Sequence, residues 1–392
     1  MSARTSPAEA ISANAGEFVA LRHDLHRYPE LAFQEERTSD KVAGLLASWG
    51  YEVSRGIGGT GLVGTLRRGH GKRSLGIRAD MDALPIAEET GLPHASATAG
   101  AMHACGHDGH TSILLAAARY LAEEGRFSGT LNLIFQPAEE IGQGARRMID
   151  DGLFERFPCD AVFGLHNWPG VSAGRFGFVA GPAMASVDWA RIRVRGRGGH
   201  GAEPHAAVDP VVVAAHVVTS LQTIVSRNAA PLDLAVVTVG SIHGGAAANV
   251  IPDAVEMLLT TRAFRPEIRT LLERRVKTIA TLQAESLGAS AEIEWKHGFP
   301  SVTNHEAETR FARNVALEAF GEPGIVPDFA PRTASEDFAF MLEARPGSYL
   351  FVGNGDSAPL HSSRYDFNDA VIEPAAVYWA TLTETFLEAS DA

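Results

Sequence analysis

Four short apolar runs constrain this chain most: "RSLGIRAD" (73–80), "TLNLIFQ" (130–136), "AVFGLHN" (161–167) and "SYLFVGNG" (348–355). They are bounded by Gly or Pro, and none alternates strictly between apolar and polar residues. A half-buried antiparallel strand alternates, whereas a strand covered on both faces need not. They therefore read as buried strands of a mostly parallel α/β sheet, with helical stretches between them. The first predicted helix runs from near Pro7 to His26, where Phe18, Leu21 and Leu25 share a face, and stops before Pro29. "ERTSDKVAGLLASWGY" predicts a second.

Between about 185 and 300 the texture changes. A strand "VDWARIRVRG" is followed by a helix from Pro210 to about Arg227, strands "LAVVTVGSIHG" and "VIPDAVEMLLTTRAF", a helix after Pro266 and a strand "SAEIEWKHG". That order, β-α-β-β-α-β, is the split ferredoxin-like unit. Because α/β-type sequence resumes afterwards, the expected organisation is one domain of residues 1–184 and 301–392, with residues 185–300 inserted. The length of 392 residues suits two domains, and the sequence holds no internal repeat.

Composition excludes several classes of partner. Lys and Arg total 34 against 47 Asp and Glu, a net charge of -13, and no basic stripe could neutralise a phosphate backbone. No nucleic-acid partner is expected. No apolar run is long enough to span a membrane, and "MSARTSPAEAISANAGEF" has no apolar core for a signal peptide, so the expected location is the cytoplasm. The two cysteines, Cys105 and Cys159, are expected to be free thiols. Cys159, in "RFPCDAVFG", reads as a buried small hydrophobe.

Cys105 has other company, in "MHACGHDGH" (102–110). Cys105 and His107 lie two apart and can point at one centre from an irregular turn, as thiolate and imidazole ligands of a zinc-like ion. The helix that follows, "DGHTSILLAAARYLAEEG", has Asp108 as its expected cap. Two alternatives compete: surface loop histidines, or a Cys105 nucleophile activated by His107 or His110. Metal-type residues at other strand ends weigh against both. Glu139 and Glu140 follow "LIFQPA", His166 ends "VFGLH", and His361 follows the run at 348–355. Ligands of open α/β sheets bind at the carboxyl ends of strands, so these positions converge if the strands are parallel neighbours. Of two adjacent glutamates, one can bind metal while the other takes a proton from the attacking water. Asp80 and Asp82, in "RADMDALP", could orient a ligand imidazole. "GIGGTG" (56–61) matches a dinucleotide fingerprint, but a short alternating strand follows it instead of a helix, so it reads as a glycine-rich hairpin.

These segments resemble the M20 metallopeptidases and aminoacylases, in particular the hippurate hydrolases, N-acyl-amino-acid amidohydrolases and plant auxin-conjugate hydrolases. The resemblance covers nearly the whole chain. It rests on "LRHDLHRYPELAFQE", "IRADMDALPI", "MHACGHDGHT", "FQPAEEIGQGA", "GLHNWPG", "GRGGHGAEPH", "ANVIPDAV" and "SEDFAFM", in that order. It implies two divalent metal ions (Zn, Mn, Co or Ni) held by Cys105, His107, Glu140, His166 and His361, with Glu139 as general base and then acid. It implies a lid and dimerisation role for the inserted domain, whose His200 would polarise the scissile carbonyl across a dimer interface while Asn249 and Arg262 contact the substrate. Where the wider family has a ligand His in an "HxD" motif, this chain has Asp80, which leaves Asp82 as an orienter. The implied reaction is hydrolysis of an N-acyl amino acid by a homodimer or dimer-based oligomer. A dipeptidase or N-acetyl-diaminopimelate deacetylase with the same site is the alternative within enzymes. A metal-binding protein without catalysis is the alternative outside them.

Overall fold

The computed structural model describes residues 6–388. The chain forms two compact units. The first takes the described residues up to Gly181, then Thr303–Ala330 and the residues from Asp337 onward; the second takes Pro182–Val302 and Pro331–Glu336.

The first unit is built on a seven-stranded sheet. Its order is Glu52–Arg55, Leu62–Arg68, Gly129–Gln136, Ser74–Asp80, Ala161–Pro169, Gly347–Gly355 and Phe176–Gly177. The four strands from Gly129–Gln136 to Gly347–Gly355 are mutually parallel, and the flanking strands run antiparallel. The inner strands are buried on both faces, which is why they do not alternate: Leu75, Ile77, Leu131, Leu133, Val162 and Phe163 have no exposed surface. The helices Pro7–Arg27, His107–Glu123 and Ile372–Phe386 pack against one another beside the sheet. The first starts with Ser6 accepting from Glu9 N (3.2 Å) while the Glu9 carboxylate accepts from Ser6 N (2.9 Å), a reciprocal cap. Residues 56–61 join the antiparallel strands Glu52–Arg55 and Leu62–Arg68, so this glycine-rich stretch is a hairpin. The second of those strands does not alternate in burial as its sequence predicts. Leu62 to Thr65 are all buried because both faces are covered: Leu46 of the helix Glu36–Ser48 packs over Gly64, and Thr65, on the other face, donates to the buried Asn132 Oδ1 (2.8 Å).

The second unit has a four-stranded sheet in the order Ala235–His243, Ala254–Ala263, Ser186–Arg195 and Ser290–His297, each strand antiparallel to its neighbour. Helices Pro210–Arg227 and Pro266–Ser286 cover one face. Along Ser186–Arg195 burial alternates from Trp189 onward, as a one-sided sheet requires. Ile192 and Val194 meet Val213, Val217, Leu272 and Val276 in a core of the unit's own. "VIPDAVEMLLTTRAF", expected as one strand, is two: Val250–Ile251 pairs with Gly199–His200 in a separate ribbon, and Ala254–Ala263 joins the sheet. Pro252 separates them, since it has no N–H for a ladder. Among the described residues no helix is long and apolar enough to cross a membrane.

Candidate metal centre

The parallel register of the inner strands brings chemistry from four chain segments to one edge of the first unit. Asp80 ends its strand, Asp82 lies two residues beyond, Glu139 and Glu140 follow the strand Gly129–Gln136, and His166 lies within Ala161–Pro169. His361 follows Gly347–Gly355, and its backbone N–H donates to Ala104 O (2.8 Å). Gly106, left-handed at φ +88°, turns the chain into the helix that begins at His107. Asp108 is not the cap expected of it. Its carboxylate is buried against His26 Nδ1 (2.9 Å) and the Arg22 guanidinium (3.5 Å), charged partners that a backbone amide does not match.

The turn carrying the paired glutamates is fixed from three sides. The Asp82 carboxylate accepts from both Glu139 N and Glu140 N, each at 3.0 Å. Ala138, at φ +53°, donates its N–H to Glu35 Oε1 (2.9 Å). A Cβ on Gly144 would lie 1.6 Å from Pro137 O, so only glycine closes this turn.

Around this frame the donor atoms converge. The Cys105 Sγ and His166 Nε2 atoms are 3.3 Å apart, His107 Nε2 and Glu140 Oε1 3.9 Å, and His361 Nε2 and Glu140 Oε2 3.4 Å. One donor atom each from Cys105, His107 and His166 lie within 4.8 Å of one another, and the same holds for Cys105, Glu140 and His361 and for His107, Glu139 and Glu140. Glu140 and His361 thus share the Cys105 sulfur with His166, a setting that suits a common cation better than a thiolate nucleophile. Asp80, His107 and His110 form a further group. The histidines of "MHACGHDGH" are buried, not surface groups, with His103, His107 and His110 at most 2% exposed.

The tautomers and charges fit a metal site. His107 Nδ1–H donates to Asp82 O (2.8 Å), which leaves Nε2 as the ring nitrogen directed at the cluster. Among the described residues, His107 Nε2 and Glu140 Oε1 are buried with no hydrogen-bond partner, a costly arrangement that a cation between them would relieve. Burial alone would lower the His107 pKa, but Asp80, Asp82 and Glu140 outweigh it and raise it to about 10. Burial, reinforced by Asp82 and Asp80, pushes Glu140 up to about 8 despite His107. Burial and the neighbouring His110 hold His166 well below the usual imidazole range, in the neutral form that ligates metal. Several carboxylates around the thiol and imidazoles draw positive charge into the site: the His107 ring takes it as a proton, and a bound cation would supply it instead. The sulfur and nitrogen donors suit borderline ions such as zinc, cobalt or nickel, and the carboxylates suit manganese as well.

Three expected site residues lie in the second unit and are described within it. His200 is exposed, its Nδ1 accepting from Ala202 N (3.0 Å), and it pairs with Val250 beside Asn249, whose carbonyl accepts from Gly201 N (2.8 Å). Arg262 lies on the larger sheet, half-buried, and donates to Ser335 Oγ (3.3 Å).

Other buried side chains support the cluster. Arg78, fully buried, donates to Asp80 Oδ2 (2.5 Å) and Gln136 Oε1 (2.8 Å), neutralising charge beneath the cluster. Arg22 stands on the apolar face that Phe18 and Leu25 share, and pairs with Asp108 and Asp369. A charged residue inside an apolar pattern was the available signal for both. Asn167 and Tyr365 gave none. The second cysteine, Cys159, is buried, and its thiol is pushed up to about 12 by that burial.

Residues 76–385 match the model of peptidase family M20/M25/M40. The chain is 45% identical to a hippurate hydrolase of Campylobacter jejuni over 95% of its own length and 97% of the relative's. To an N-acetyl-L-cysteine deacetylase of Bacillus subtilis it is 38% identical, over 96% and 89%. It shares the fold of a crystal structure from Bacillus subtilis, a dinuclear metal-binding peptidase of the M20 family, at a TM-score of 0.84 and 34% identity, covering 96% of this chain and 99% of that one. The chain belongs to peptidase family M20/M25/M40.

Proposed function

We propose that this metal-dependent amidohydrolase cleaves the amide bond of N-acyl amino acids, hippurate-like or N-acetyl, into a carboxylic acid and a free amino acid. The observation that carries the reading is the pair Glu139–Glu140, both backbone N–H groups held by one Asp82 carboxylate, with side chains directed into a thiol, imidazole and carboxylate cluster. The relatives' substrates, hippurate and N-acetyl-L-cysteine, support the class.

Cys105, His107, Glu140, His166 and His361 hold two divalent ions in this reading. When bound, these supply Lewis acidity that polarises the amide carbonyl and makes water more acidic. Glu139 takes a proton from the attacking water and delivers it to the leaving amine nitrogen. Asp82 keeps Glu139 aimed, and Asp80 and Asp82 orient the imidazoles of His110 and His107. His200 donates to the developing oxyanion, and Asn249 and Arg262 receive the amino-acid carboxylate. Residues 185–300 then act as a ferredoxin-like lid and dimerisation domain, and residues 1–184 and 301–392 as the catalytic domain, in a cytoplasmic homodimer. The strand order of the second unit supports the ferredoxin-like assignment.

Glu139→Gln tests the reading. Turnover of N-acetyl and N-benzoyl amino acids is expected to fall about 10²–10⁴-fold while the metal content of the purified protein stays that of the wild type. Unchanged turnover at full metal content would remove Glu139 from the chemistry. Dipeptides and N-acetyl-diaminopimelate in the same panel separate the dipeptidase and deacetylase alternatives. A protein that binds metal and cleaves none of these amides would support metal binding without catalysis.

A further inference from the structure

We propose that Asn167 is the positioning residue that sets how Cys105 and His166 face each other, with Tyr365 and His110 as its supports. The inference rests on Cys105 and His166 being ligands. Asn167 is fully buried and touches both segments. Its backbone carbonyl accepts from His166 Nδ1–H (2.6 Å), which fixes that ring with Nε2 toward the Cys105 sulfur. Its side-chain amide donates to Cys105 O (2.7 Å), which ties down the backbone carrying the thiol. One residue thus holds the His166 ring with its backbone and the Cys105 backbone with its side chain.

The amide cannot turn. Its oxygen accepts from the Tyr365 hydroxyl (2.6 Å), which orients the NH₂ toward Cys105 and His110. His110 Nε2 accepts from both the backbone N–H and the side-chain Nδ2 of Asn167, each at 3.0 Å, and His110 Nδ1–H donates to Asp80 Oδ1 (2.7 Å). Both ring nitrogens are therefore used, and His110 serves as a strut although it stands among the donor atoms. The same template shapes the ligand turn. A Cβ on Gly106 would lie 2.4 Å from Asn167 Nδ2 and 2.7 Å from the Tyr365 hydroxyl, so Cys105-Gly106-His107 is moulded against this pair.

Cobalt(II) added to chelator-stripped protein reads the arrangement without turnover, because a cobalt–thiolate bond gives a near-ultraviolet charge-transfer band. Wild type is expected to show the band and Cys105→Ala to lack it; a wild type without the band would refute the ligand assignment itself. Given the band, Asn167→Ala is expected to need about 10–100-fold more cobalt to develop it, with unchanged far-ultraviolet circular dichroism. Tyr365→Phe is expected to shift the titration the same way by a smaller factor. An Asn167→Ala titration that overlays the wild type overturns the proposal. If that variant does not fold, Tyr365→Phe decides, and an unshifted titration overturns it equally.

Discussion

His26 shows how much a single buried ring can contribute when its partner is charged. Its Nδ1 lies 2.9 Å from Asp108 and its Nε2 3.4 Å from Glu88. Burial alone would lower its pKa, but Asp108 and Glu88 together outweigh burial and raise it to about 9. The unfolded ring titrates near 6.5, so the pair's stabilisation is complete below that pH and is lost as pH rises through about 9. A shift of this size corresponds to something on the order of 3 kcal/mol. Urea midpoints measured between pH 6 and pH 9.5 are expected to fall more steeply for wild type than for His26→Gln. Parallel slopes would mean that the ring is neutral in the folded protein. Asp108 also marks where reading residues from sequence stops. An aspartate at a helix start is a sound cap prediction from local chemistry, but Arg22 and His26 lie more than eighty positions earlier, and only the folded chain brings their charge to it. Asn167 is illegible for the same reason: at the end of a predicted strand, between His166 and Trp168, its amide has no evident task until its partners at 105, 110 and 365 are known.

At the scale of elements, the turn from Pro137 to Gly144 connects local geometry to chemistry. Closing it requires a positive φ at Ala138 and no side chain at Gly144, and the turn is what directs two adjacent carboxylates into the cluster. Gly144→Ala forces Pro137 to move and is expected to cost about 1–3 kcal/mol, as overpacking does, and to lower turnover at saturating metal. Gly44 is the matched control. It lies inside the helix Glu36–Ser48 with nothing within 4 Å of an added Cβ, so Gly44→Ala is expected to stabilise by about 0.5–1 kcal/mol with activity unchanged. Thermal midpoints and initial rates on the three proteins check both; a loss of stability at Gly44 would contradict the open environment there. Elements were the most legible level. The inner strands announce themselves because double-sided burial favours apolar runs without strict alternation, and the helix Pro210–Arg227 because Pro at its first position and Asp209 before it are start signals. Legibility failed where a side chain broke a pattern that hydrophobicity continued, as at Pro252, and where cover on both faces removed an alternation, as at Leu62 to Thr65.

At the scale of the whole molecule, the two units differ in how they depend on chain continuity. Every strand of the four-stranded sheet, both of its helices and all of its apolar core lie within Pro182–Val302, so the second unit draws that core from one uninterrupted segment, with Pro331–Glu336 added outside it. The first unit cannot do so. Its strand Gly347–Gly355 sits between Ala161–Pro169 and Phe176–Gly177, and the loop after it supplies His361. A segment of residues 182–302 expressed alone is therefore expected to unfold cooperatively on heating, followed by far-ultraviolet circular dichroism, whereas residues 6–181 alone are expected to lack a native transition. Metal links this to the site, because binding to the native state stabilises only the unit that holds the ligands. Calorimetry of the full chain should accordingly show a chelator lowering the transition of the first unit and leaving that of the second in place, at the temperature the isolated segment reports. If both transitions fell together, the units would unfold as one cooperative block, and the separate cores would not amount to separate stability.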